Sequence, residues 1–106
     1  MQRTGFVSIA PVLERLEMLK TEDPLLSRVE ELLYQTREWM TAEQIIESLG
    51  LVGRVSEKDL RARISKYSGA PAPDGIHLAF TTTRQFGKTG YESYRAVREK
   101  AEKEGA

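Results

Sequence analysis

The sequence predicts a mainly helical α+β fold in one domain, with a series of helices followed by a β-hairpin. Three observations carry this reading. Apolar residues recur at helical spacing from Val12 to Tyr67, capping signals divide that stretch into separate helices, and after Asp74-Gly75 the pattern turns to strict alternation. At 106 residues the chain has room for one hydrophobic core. The division it suggests is an N-terminal segment and helix over residues 1–23, a three-helix core over 24–69, a hairpin over 74–98 and a charged tail over 99–106.

The first helix spans residues 11–20, with Val12, Leu13, Leu16 and Leu19 on one face and Pro11 in the first turn, where its missing N–H costs nothing. Asp23 then caps a second helix that starts at Pro24 and runs to about Trp39, with Leu25, Leu26, Val29, Leu32 and Leu33 as its apolar stripe. Thr41 and Gln44 form a capping box, and Met40 and Ile45 occupy the two staple positions around it. Ile45, Ile46 and Leu49 face inward on that third helix, and Gly50 supplies a left-handed stop. A similar signal returns at Ser56 and Asp59, flanked by Val55 and Leu60, and opens a fourth helix over residues 56–68 with Leu60, Ile64 and Tyr67 inside.

Ile76, Leu78 and Phe80 alternate with His77, Ala79 and Thr81, which marks the first hairpin strand. A loop over residues 84–90 holds Gly87 and Gly90. The return strand is expected from Tyr91 to about Arg95, followed by a short helical or frayed tail over 99–106. A helix from Tyr91 onward is the competing reading, since Tyr91, Tyr94, Val97 or Arg98, and Ala101 also fit helical spacing.

Composition excludes several function classes. The chain has 16 basic and 16 acidic side chains, so it is not a wholly basic polyanion binder. It lacks cysteine, which removes disulfides, thiolate catalysis and cysteine-ligated metals, and its single histidine removes a multi-histidine zinc site. No apolar stretch approaches the roughly 18 residues of a membrane span, and the N-terminal apolar patch is too short for a signal peptide. A cytoplasmic protein with no membrane partner is expected.

Neutrality conceals an asymmetry. Residues 1–50 carry five basic and nine acidic side chains, whereas residues 51–106 carry eleven basic and seven acidic. Between residues 54 and 98 there are nine basic and four acidic side chains. With Leu60 turned inward, a rotation of about 100° per residue sends Lys58, Arg61, Ala62 and Ser65 outward and Lys66 to the flank of the fourth helix.

Two short capped helices joined by a turn, preceded by another helix and followed by a glycine-tipped hairpin, resemble the winged helix-turn-helix family over residues 24–97. The resemblance implies that residues 56–68 form a recognition helix for the major groove and that residues 84–90 form the tip of a wing. The 50–55 connection departs from the family pattern, being longer than the turn of the minimal motif. On this reading the partner is double-stranded DNA, and the chain is a small transcriptional regulator or a replication or recombination accessory protein. Arg61, Ser65 and Lys58 are expected near base edges, with Lys66, Arg54, Lys88 and Arg84 on phosphates. Thr89 and Arg95 extend this surface around the hairpin, and Gly87 and Gly90 let its backbone approach the sugar-phosphate chain. Winged-helix folds also serve as protein-interaction modules, and neutrality with an acidic N-terminal half favours that alternative.

Other candidates are weaker. Gly87-Lys88-Thr89 lacks the earlier glycine of a phosphate-binding loop, with Thr82 at that position. His77 reads as a surface or interface histidine, Glu30 and Glu31 diverge on a helix, Trp39 reads as a core anchor, and Tyr91 and Tyr94 read as hairpin packing. The chain is therefore expected to be a binding protein without catalytic residues, cofactor or metal. Phe6, Val7, Ile9 and Met18 exceed what a small core consumes, which predicts a homodimer through the N-terminal helices.

Overall fold

The computed structural model describes residues 10–68 and 79–105. Asp23 is the single residue between α1 (Ala10–Glu22) and α2 (Pro24–Thr36). Its backbone N–H donates to the Leu19 carbonyl at 2.8 Å, closing α1, while its carboxylate accepts from the Leu26 N–H at 3.3 Å, opening α2. Val12 and Leu19 of α1 are buried with Leu26, Val29 and Leu33 of α2 in the core, and Leu16 packs at its edge.

The second helix ends at Thr36, short of the expected end at about Trp39. Arg37 adopts a left-handed φ of 58° and donates its N–H to the Leu33 carbonyl. That bend frees Met40–Thr41 to form strand β1, which the sequence reading did not contain. Two residues cannot show an alternating pattern. They become a strand because they pair with Tyr91 and Gly90, some fifty positions away.

Helix α3 (Ala42–Ser48) starts with both halves of the expected capping box: the Gln44 N–H donates to Thr41 Oγ1 at 3.2 Å, and the Thr41 N–H to Gln44 Oε1 at 2.9 Å. Gly50, at φ 68°, ends it. Helix α4 (Glu57–Ser65) starts at Ser56, whose hydroxyl accepts from the Asp59 N–H at 3.0 Å, and stops three residues short of the expected end. Beyond it the Tyr67 carbonyl accepts from the N–H groups of Ala79 and Phe80, tying the end of the helical region to the hairpin.

Strands β2 (Phe80–Gln85) and β3 (Lys88–Ser93) pair antiparallel from Phe80↔Ser93 to Gln85↔Lys88. The sheet order is β1-β3-β2, so the strand contributed between α2 and α3 lies beside the hairpin. The expected strand segment at Ile76, His77 and Leu78 lies outside the described residues. Helix α5 (Tyr94–Gly105) begins where the strand was expected to continue through Arg95. The reason is local and tertiary together: Ser93 Oγ accepts from the Ala96 N–H at 3.2 Å as a cap, and Arg95 is drawn to Glu30 of α2. The competing helical spacing therefore wins, and the charged tail continues α5.

One core unites these elements. Leu26, Leu33, Ile45, Leu60, Ile64 and Phe80 are fully buried at its centre. The fold is α+β and mainly helical, with a small three-stranded antiparallel sheet among the described residues.

Candidate nucleic-acid interface

Burying Leu60 and Ile64 fixes the rotation of α4, and the opposite side is left in solvent. Lys58, Arg61, Ala62, Ser65 and Lys66 are all exposed, as the helical phase predicted. Arg54 is exposed in the preceding turn, and Arg84 and Lys88 are exposed on the hairpin, with Thr89 half-buried. Arg54, Lys58, Lys66 and Lys88 form no ion pair with any described residue.

A cleft of about 300 Å³ separates α4 from the hairpin, and Arg61, Lys88, Thr89 and Gly87 line it together with Glu43 and Glu57. The fold thus brings together three of the expected contact residues. It also adds two carboxylates that the sequence reading left out, so the cleft itself is balanced in charge. Arg61 Nη1 lies 3.3 Å from Glu57 Oε1 one turn earlier, and both side chains are about half exposed. Such a pair contributes little to stability and releases its guanidinium easily. The Ser65 hydroxyl donates to the Ala62 carbonyl at 2.9 Å, so it points back along the helix.

Arg63 has a different task. Its guanidinium makes two hydrogen bonds to Asp23, at 2.6 and 3.0 Å, and fastens α4 to the α1–α2 junction. Burial pushes the Asp23 carboxyl up, but the bonds from Arg63 and the Leu26 N–H outweigh it and hold it below the usual carboxylate range. The hydrogen bond to Asp23 raises the Arg63 guanidinium further despite burial.

Arg95 does not join this surface. It lies against α2, with Nη2 2.8 Å from Glu30 Oε1 and Nε 3.2 Å from Glu30 Oε2. Its guanidinium stands 3.5 Å from the centroid of the Tyr34 ring. A buried carboxylate claims this cation, so its charge faces the interior. Gly90 also differs from expectation: a Cβ there would collide with the Trp39 indole, so the residue seats Trp39 rather than a ligand backbone. Gly87 keeps its expected place at the tip, at φ 75° with open space around it. Gly87-Lys88-Thr89 runs from that turn into β3 and not into a helix.

The sequence reading missed Phe86. It occupies the hairpin tip beside Gly87 and is 97% exposed. The signal was present in Phe-Gly at the centre of a two-residue turn, where Asn-Gly is the usual pair. No family model, curated protein or solved structure matches the chain.

Proposed function

We propose that the chain is a winged-helix module that binds double-stranded DNA, with α4 against base edges in the major groove and the β2–β3 hairpin as a wing on the backbone. The observation that carries this reading is β1. A short strand after α2, two helices, and a hairpin whose second strand pairs with that first strand support a winged-helix reading. The exposed cations of α4 and the hairpin support it. Lys58, Lys66, Arg54 and Lys88 have no protein partner among the described residues, and phosphates are the natural counter-charge for them. Glu43 and Glu57 fit the same reading, because a groove-facing carboxylate accepts from the cytosine amino group. A role as a small regulator or a replication or recombination accessory protein follows from such binding.

The charge balance of the cleft favours one second reading, a winged-helix protein-interaction module. Anisotropy of a labelled random duplex at two salt concentrations separates them. DNA binding gives an affinity that falls steeply with salt, because binding releases counterions from the duplex and that release is less favourable at high salt. An absence of binding at low salt with micromolar protein overturns the DNA reading. Light scattering on the same sample tests the homodimer: Leu13 and Met18, 44% and 50% exposed on α1, support it, while Phe6, Val7 and Ile9 lie outside the described residues. A monomer mass would sink that part of the proposal.

A further inference from the structure

Phe86 combines two locally unfavourable features. Its φ of 54° lies in the left-handed region, where a bulky side chain is rare and asparagine or glycine is ordinary. Its ring is almost wholly in water, at 97% exposure, beside a glycine with open space around it. A residue that suits neither its backbone nor its solvent is where a binding role is to be sought.

The surroundings indicate what the ring meets. No acidic residue occurs in the hairpin between Phe80 and Tyr91, and the carboxylates of Glu43 and Glu57 lie across the cleft lined by Gly87 and Lys88. Arg84 Nη2 donates to the Gly87 carbonyl at 3.2 Å, which sets a guanidinium beside the turn, and Lys88 is exposed on the other strand. An exposed ring on a turn whose strands carry Arg84 and Lys88 matches a nucleobase face flanked by phosphates better than an apolar protein pocket.

Magnitudes decide which form of DNA. Stacking a base on an aromatic side chain strengthens binding about 5- to 150-fold. Prying apart an intact base step weakens it by a comparable factor. On continuous duplex the two nearly cancel, whereas a base that is already unstacked on one side keeps the whole gain.

We propose that Phe86 is a stacking wedge that reads the exposed base face at a junction between duplex and single-stranded DNA. This rests on the DNA-binding reading above and gives that surface a structural preference. Arg84 and Lys88 hold the flanking phosphates, and α4 holds the adjoining duplex.

The test uses the full chain and two probes sharing one duplex sequence. One is a relaxed, covalently closed duplex circle with no ends or loops, and the other is linear and carries a single-stranded extension with 2-aminopurine at the junction. The parent is expected to bind the junction about tenfold more tightly than the closed duplex and to change the 2-aminopurine fluorescence. Phe86→Asn places the preferred Asn-Gly pair in the turn, so the hairpin is retained. It should lose both the preference and the fluorescence change, its junction affinity falling about tenfold to that for the closed duplex. Phe86→Trp should keep the preference. Equal binding of both probes by the parent, or a preference that survives in Phe86→Asn, overturns the wedge and leaves the duplex-binding reading standing. If neither probe binds at low salt, the DNA-binding reading falls and the wedge with it.

Discussion

The α2–α5 face and the α4–hairpin face are both rich in arginine and lysine, yet they use the charge in opposite ways. On the first, Glu30 is 3% exposed and receives bonds from Arg95 and, at 2.7 Å, from the Ser93 hydroxyl. Tyr34 lies under Arg95 and donates its hydroxyl to Glu99 at 2.9 Å, and Arg37 reaches the same carboxylate at 2.9 Å. Each of these charged groups has a partner within the chain, although Lys100 and Lys103 on the same face have none among the described residues. On the second face Lys58, Lys66, Arg54 and Lys88 have none among the described residues. The count of basic side chains therefore says less than where the carboxylates lie. Arg63 and Arg95 belonged to the basic excess in the sequence and serve as internal ties in the fold.

The sharpest way to break this contrast is Glu30→Ala. Removing one partner of a buried pair leaves the other charge unpaired, and the expected loss is about 3 kcal/mol, read as a lowered denaturation midpoint. Duplex affinity of the folded variant should be unchanged, because Glu30 lies on α2 and not on α4 or the hairpin. A loss below about 1 kcal/mol would show that the pair does not hold α5 in place. The joint replacement Glu30→Leu with Arg95→Met should restore most of the stability, since a well-packed apolar pair rivals a buried ionic one.

The same contrast explains what could be read from the sequence. The starts of α2, α3 and α4 were legible because Asp23, Thr41 with Gln44, and Ser56 act within four residues of themselves. The outward face of α4 was legible because Leu60 and Ile64 fix its rotation. Strand β1 and the onset of α5 were not, because their partners are remote in sequence: Met40 with Tyr91, and Arg95 with Glu30. Arg95 entered the expected site for that reason alone. The exposure of Phe86 depends on the register, because only the Gln85↔Lys88 pairing puts it in a two-residue turn.

The hairpin itself divides along the same line, and a pair of glycine variants sharpens it. At Gly90 a new methyl meets the Trp39 ring, so Gly90→Ala should cost about 2 kcal/mol through overpacking. Gly87 has open space, and its alanine variant carries only the positive-φ penalty of about 1 kcal/mol. Thermal melts of the two variants compare them directly. The reverse ranking would mean that Trp39 yields easily and that the base of the hairpin is not part of the scaffold.

The smallest stability effect is expected at Lys66, where the contrast makes its plainest statement. The side chain caps no ion pair among the described residues, and its removal strips no buried atom. Lys66→Ala should therefore shift folding stability by no more than about 0.5 kcal/mol. If the lysine instead answers a phosphate, the variant weakens binding to all duplex sequences alike. The slope of log affinity against log salt then becomes shallower by about 0.9, the value for one released counterion. The two readouts pull in opposite directions for the two kinds of cation: an internal tie moves the melt and leaves the slope, and a phosphate contact does the reverse. A lowered midpoint with an unchanged slope would place Lys66 with Arg63 and Arg95 and remove it from the residues proposed to face DNA.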